Sequence, residues 1–544
     1  MTIAFVHRLS RQERSSRRRG MALLVVVVLI MLTALGAYRF SFYMESQYRL
    51  TRLHEEQVHA RLAAISGMEL AATIVEMSPL QRMSIGGLVD NPAVFRDIAV
   101  DFIANSTTNQ RDPNLWRFCM LSPRSSEEAT NSPRASAQIA ESVSLPIRFG
   151  LENESAKLHM PTLIAWDQIM PGHARNTLLG LPGASEKMVD AWLQEIGVSG
   201  RADKGGFPGQ LATLDDLRHT WFGGDLNQNY QLDPLEIRLA NQHKSQDSVS
   251  LPDSIRSANS VGGYNPLQRY VTWVSGHRNV TRSGQARIFL NEPDLQSLHR
   301  QLSLVWSTDW ADFVVAMRQF GPSHSATIAG ATTEVVPQWS PDFGKAAIFA
   351  FRSPLDLVGA VVDLPSGSAS NSSRSSTGQS SQVKRTLRNP FSSELSEVRN
   401  YLGRVLDDVT VELSPISEGR IDVSEALVEV LAGVPGLDLS LAQRMIQQRS
   451  GSTNTMKTNQ EIDTIAWLLD VVDLAKLKEL EPYLTCRSDV YSVQAVGYRN
   501  SQSAIYRTTA TVDAREVPAQ LRNQKVWHPW DRGFSIEQLA DPIP

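Results

Sequence analysis

The chain has 544 residues, 42% of them hydrophobic and 20% charged, with a mean hydropathy of −0.22, a formal net charge of −4 and two cysteines. At roughly 150 residues per folded unit, that length predicts three to four units. The composition excludes a chain disordered throughout, the two cysteines exclude a disulfide-dense scaffold, and the near-neutral balance excludes a nucleic-acid binder that works by bulk charge.

The average hides a polar distribution. Residues 1–20 hold six arginines (Arg8, Arg11, Arg14, Arg17, Arg18 and Arg19) against Glu13, about +5, which leaves the remainder near −9. Residues 21–38, MALLVVVVLIMLTALGAY, carry no charge. At 1.5 Å per residue they span about 27 Å, close to the hydrocarbon core of a bilayer. The arginines ahead of this run keep its start in the cytoplasm and send the chain beyond it to the outer side. A cleaved secretory signal needs small residues after the apolar run. Here Arg39, Phe40, Ser41, Phe42 and Tyr43 come next, so the span is read as retained. Beyond it Leu50, Leu53, Val58, Leu62, Ile65, Met68, Ala72 and Val75 recur at steps of three to five until Ser78-Pro79. The spacing predicts one helix over 21–78, about 85 Å long, apolar all round at first and then carrying a single apolar stripe that needs a domain to lie on it.

Past Pro79 the pattern predicts a helix to about residue 105 and short strands at 115–120, 144–149 and 156–160, within a part covering 79–163. Near the other end, 490–498 and 504–512 alternate like paired strands around a turn at 499–503, in a part covering 484–544. Between the two strand groups the sequence reads as mainly helical. The expected architecture is α+β: a long N-terminal transmembrane helix and a small antiparallel sheet, split by a large, mainly helical insertion. Residues 122–137 read as a surface loop. The Ser/Gly-rich run PSGSASNSSRSSTGQSSQ at 365–382 has nothing to bury, and a linker over 365–385 is expected to separate two insertion halves, 164–364 and 386–483.

An internal echo flanks that linker. Residues 178–192 (LLGLPGASEKMVDAW) match 430–444 (VLAGVPGLDLSLAQR), each a helix, a tight turn (Pro182-Gly183 and Pro435-Gly436) and a second helix. The second copy is preceded by Ile421-Asp422-Val423-Ser424-Glu425-Ala426, similar to the lead-in of helix-hairpin-helix domains. In such domains backbone N–H groups of the turn hold phosphates, which raises a competence-type, membrane-anchored DNA receptor as the alternative function. Asp438 and Glu186 stand where a phosphate would approach, so the hairpins are read as protein-packing units and no nucleic acid is expected.

A second chemical signal is Asp225, Asn227, Asn229, Asp233 and Glu236, oxygen side chains at positions 1, 3, 5, 9 and 12 of an EF-hand-like loop, with the Gln231 carbonyl at position 7. Three carboxylates in that register balance Ca²⁺ and repel one another without it. Tyr230 replaces the glycine of position 6, where the sharp turn falls. No GxSxG, HExxH, Walker A or CxxC motif occurs, and His173, His219, His277 and His299 are read as solvated or core residues, so no enzyme is expected. Cys119 and Cys486 fall in the two strand groups; a disulfide and two buried thiols both remain open.

The basic leader ending in Gly20, followed at once by an apolar helix that turns amphipathic, resembles the type IV pilin and type II secretion pseudopilin precursors. Among these the chain is similar to the large minor pseudopilin family, general secretion pathway protein K (GspK). Major members carry a glutamate at the fifth mature position, and here that residue is Val25. Further similar blocks are 286–291, 310–318 and Thr485-Cys486-Arg487-Ser488-Asp489-Val490-Tyr491. The resemblance implies cleavage after Gly20 by a prepilin peptidase and N-methylation of Met21. It also implies a single-pass inner-membrane location with a cytoplasmic N-terminus and a periplasmic bulk, a split sheet, and Ca²⁺ sites. Its implied partners are the other minor pseudopilins of the tip complex and the inner-membrane secretion platform.

Overall fold

The computed structural model describes residues 6–100, 115–124, 147–182, 184, 186–195, 229–230, 269–323, 333–365, 384–452, 464–500, 504–527 and 533–540. It is a mixed α+β structure dominated at its start by one helix, α1 (Val6–Glu76). From Met21 onward α1 contains a window of mean hydropathy 2.6 with none of its surface buried, long and apolar enough to cross a membrane. The helix ends where expected. Ser78 and Gln81 form a reciprocal cap, Ser78 N–H donating to Gln81 Oε1 at 3.0 Å, and Pro79 opens a new six-residue helix, Pro79–Ser84.

The second half of α1 lies on a seven-stranded antiparallel sheet built from both ends of the remaining chain. Its strands are β1 (Ile98–Val100), β2 (Trp116–Pro123), β3 (Ile147–Phe149), β4 (Glu152–Asn153), β5 (Val490–Tyr498), β6 (Tyr506–Asp513) and β7 (Gln520–Trp527), ordered β1-β2-β5-β6-β7, with β3 beside β2 and β4 beside β5. β5 is central: Gln494 pairs Leu121 on one side and Thr509 on the other. The hairpin read at 490–512 is therefore present. The helix expected up to residue 105 is not: after Pro79–Ser84 and Pro92–Phe95 the chain extends into β1. Gly86 and Gly87, both at positive φ (98° and 86°), and Pro92 interrupt the helix before its apolar period can continue.

The stripe of α1 that faces the sheet also differs from expectation. Buried positions are Ala60, Ala63, Ala64, Gly67, Met68, Ala71, Ala72, Ile74 and Val75, whereas Leu50, Leu53, Val58, Leu62 and Ile65 are exposed. Small residues face inward because the two backbones approach closely. A Cβ placed on Gly497 in β5 would strike the Ala60 carbonyl and sit 2.8 Å from Ala64 N, and one on Gly67 would sit 2.8 Å from the Phe118 ring. Met68, Ala72 and Val75 of the expected stripe are buried as expected, whereas its earlier large apolar members are exposed.

The insertion between β4 and β5 holds its own hydrophobic core, one cluster of described residues with members from both sides of the Ser/Gly-rich run. Val362–Leu364 and Lys384–Leu387 pair antiparallel across residues 365–383, so that run joins neighbouring strands. Further two-residue pairings tie the early part to the late part: Ile288–Phe289 with Val409–Thr410, and His277–Arg278 with Ile416–Ser417. Pairs this short leave no periodic trace in sequence, which is why the region reads as helical.

Candidate functional site

Three sequence-flagged features meet where α1 ends, the sheet begins and the insertion returns. Residues 75–77, the last of α1 and just beyond it, leave carbonyls without helical partners. Two guanidinium groups take them up. Arg82 donates to the carbonyls of Val75, of Met77 at 3.0 Å and of Ser488 at 2.8 Å; Arg278 donates to those of Glu76 and Met77 at 3.1 and 3.3 Å. Both cations rest on Asp489, whose carboxylate pairs with Arg82 and accepts from the Arg278 backbone N–H at 2.7 Å and from its guanidinium at 3.3 Å. Cations at a helix C-terminus also complement its dipole.

The neighbouring residues continue the joint. Arg487 pairs with Asp407 and donates to the Val280 carbonyl. The Ser488 hydroxyl accepts from Ser155 at 3.0 Å. Lys157, fully buried, bridges Glu152 at 3.2 Å and Glu154 at 2.8 Å; burial opposes its charge, but the two carboxylates outweigh that and hold it above the ordinary lysine value. The sequence marks Arg487, Ser488 and Asp489 only as part of a family-like block. It does not mark Arg82, Arg278, Asp407 and Lys157, which carry no local pattern and are brought together by the fold alone.

The two hairpins are present and face one another. Pro182 sits in a turn closed by Ala184 N–H to the Leu181 carbonyl at 3.1 Å, and Pro435-Gly436 in one closed by Leu437 N–H to Val434 at 3.0 Å, with Gly436 at φ 79°. Gly183 lies outside the described residues. His173 Nε2 donates to the Gly433 carbonyl at 3.0 Å, and a Cβ on Gly433 would overlap Thr177, so the helix His173–Leu179 of the first copy packs on the turn segment of the second. The second turn is covered: the paired Lys476 and Glu479 lie over Gly436. Asp438 accepts from Leu441 N–H at 2.7 Å and from the Ser440 hydroxyl at 2.8 Å, capping Leu439–Ser452, and the Leu441 N–H holds its carboxyl below the usual range. In the lead-in, the buried Asp422 accepts from Ser424 N–H at 2.9 Å and from Asn153 of β4 at 2.8 Å, which ties the hairpin unit to the sheet.

Of the calcium-like loop, Asn229 and Tyr230 are described; Asp225, Asn227, Gln231, Asp233 and Glu236 are outside the described residues. Asn229 is buried. Tyr230 adopts φ 62°, the left-handed conformation that a glycine at position 6 would supply, with its ring 6.2 Å from that of Phe534. Among the described residues no cluster of three or more His, Cys, Asp or Glu side chains has metal-ligand geometry. Gly20 and Met21 lie within the continuous helix α1.

No disulfide joins Cys119 to Cys486. Cys119 is in β2, beneath the sheet, where Asp97 N–H donates to its sulfur at 3.1 Å and burial pushes the thiol up to about 12. Cys486 follows the short strand Leu484–Thr485, which pairs with Ile421–Asp422, and it packs on the insertion core. The expectation that both cysteines share one sheet fails because the 487–489 joint intervenes before β5 starts. His299 bonds Asp312 at 2.8 Å and His277 is buried, while His219 is outside the described residues. Comparison of the chain with protein-family models, with curated proteins and with solved structures gives no match in any of the three.

Proposed function

We propose that the protein is a minor pseudopilin of a type II secretion system, similar to the GspK family, anchored in the inner membrane and initiating or capping the periplasmic pseudopilus tip. The observation that carries this reading is α1 itself: an exposed apolar span whose C-terminal part becomes the spine of a sheet split by a separately cored insertion. The function is assembly. Leader removal after Gly20 by the prepilin peptidase frees Met21, the apolar helix packs with partner minor pseudopilins, and the bulky insertion suits a subunit that ends a fibre better than one that repeats along it.

Ca²⁺ belongs to the same proposal. The left-handed Tyr230 supplies the turn that an EF-hand-like loop requires, and Asp225, Asn227, Asn229, Gln231, Asp233 and Glu236 would hold the ion. The ion would neutralise the three carboxylates and order the loop. A DNA receptor is disfavoured, because Glu479 lies over Gly436 and Asp438 occupies the helix N-terminus where a phosphate would bind.

The test is N-terminal and intact-mass analysis of the protein purified from native membranes. The expected chain begins at N-methylated Met21. A chain that keeps residues 1–20, or one cut after Tyr38, overturns the proposal.

A further inference from the structure

A cavity of about 50 Å³ lies inside the insertion, next to the chain's return toward the sheet, and its walls include His277, Arg287, Arg420, Arg487, Glu412 and Glu481. The carboxylates there are committed. Arg420 holds Glu412 at 2.7 Å and Glu481 at 3.0 Å, and Arg487 holds Asp407 from behind the wall. The Arg287 guanidinium makes one hydrogen bond, from Nε to the Asp407 carbonyl at 3.1 Å, and among the described residues no carboxylate forms an ion pair with it. His277 is 3% exposed, and its Nδ1 has no hydrogen-bond partner. A buried polar atom left unpaired is costly, and His277 stands in the wall of the space that Arg287 also lines.

The electrostatics agree with the geometry. Burial, followed by the charges of Arg287, Arg487 and Arg420, holds His277 well below its ordinary value, so its ring is neutral and has one N–H to give. Burial and the charge of Arg487 push Arg287 down to about 9. Arg487 adds a like charge at both groups, and Asp407 and Glu412 offset only part of it at Arg287. A water needs roughly 10–15 Å³ of such space, so the cavity has room for one small ion with a water beside it. Glu412 and Glu481 in the wall oppose a doubly charged or bulky oxyanion.

We propose that this cavity binds one small monovalent anion of chloride's size, held by the Arg287 guanidinium and by the neutral His277 imidazole donating from Nδ1. The bound anion would supply the charge that Arg287 lacks and fasten the strand pair His277–Arg278 and Ile416–Ser417 to the returning chain.

The full-length protein in detergent is exchanged into sodium gluconate and titrated with sodium chloride at fixed ionic strength while its Tm is followed. The expected result is a rise of several degrees that saturates, is absent in Arg287→Gln, and survives at weaker affinity in Arg287→Lys. Crystals of the wild-type protein grown in sodium bromide should show an anomalous peak between Arg287 and His277, a readout that stands even if Arg287→Gln does not fold. A Tm indifferent to chloride, the same rise in Arg287→Gln, or bromide-grown crystals with no such peak overturns the proposal.

Discussion

Asp489→Ala tests the joint directly. In the folded protein Asp489 is 4% exposed and serves as counter-ion to two guanidinium groups, Arg82 and Arg278, which are themselves engaged with the carbonyls at the end of α1. Removing the carboxylate leaves both cations in place without a partner, and they cannot leave without abandoning the carbonyls of residues 75–77. Breaking a buried pair in this way costs about 3–5 kcal/mol, because the remaining charge stays desolvated. For a folded unit of 150–250 residues each kcal/mol lowers Tm by about 2–4 °C, which places the expected drop near 10 °C. The assay is thermal unfolding of the full chain in detergent, followed by tryptophan fluorescence. Asp489→Asn keeps the acceptor oxygen and loses the charge, so it should fall between wild type and alanine. The exposed pair Arg175–Asp190 serves as control, and Asp190→Ala should leave Tm unchanged within error. A drop below 2 °C for Asp489→Ala would refute the claim that this ion cluster holds the helix end.

Gly497→Val should force α1 off β5, since its side chain would enter the space of Ala60 and Ala64; overpacking of this kind costs about 1–3 kcal/mol or more, and by loosening the helix it should speed tryptic cleavage at the already exposed Arg61. His159 donates from Nε2 to the Trp273 carbonyl at 3.2 Å and accepts at Nδ1 from Thr162 at 2.8 Å, and burial lowers its pKa to about 4. Because the folded value lies below the unfolded one, its contribution is fully present above pH 6.5 and is lost as pH falls toward 4. The loss should be on the order of 3 kcal/mol, and His159→Gln should flatten that part of a Tm-versus-pH series. Ca²⁺ should raise the Tm of the full chain, and Asp225→Ala or Glu236→Ala should abolish the rise; no shift in any of the three removes the calcium assignment.

Sequence and structure agree where one physical signal dominates. The uncharged run after Gly20, the Ser78-Pro79 stop and the alternating strands at 490–512 are local patterns, and all three elements are present. They part where the signal is spread over distant residues. Ala60, Ala63, Ala64 and Gly67 carry little hydropathy, so the face they form is invisible beside Leu62 and Ile65, although only the small residues permit the approach of Gly497. β7 is missed for a related reason: it is an exposed edge, its inward alternation broken by a bulge near Thr509 and by Asn523 at φ 53°. The hairpin turns are legible because proline and glycine mark them, but the cover that Glu479 places on Gly436 comes from a helix about 40 residues further on.

The same contrast explains why the insertion is tolerated. β4 pairs with β5 through Asn153 with Tyr491 and Glu152 with Ser492, so the chain leaves the sheet and returns to it at adjacent positions. A segment whose ends are neighbours can carry its own core without stretching the sheet that hosts it. Such a segment needs a fixed orientation, and polar contacts at both ends supply that: Lys157 with Glu152 and Glu154 where the chain departs, Arg487 with Asp407 and Asp489 with Arg82 and Arg278 where it returns. Since Arg82 and Arg278 also hold the carbonyls at the end of α1, any force along that helix reaches the insertion through buried, directional bonds. To draw the helix along the sheet, the ion cluster would have to break together with the close contact of Gly497 against Ala60 and Ala64.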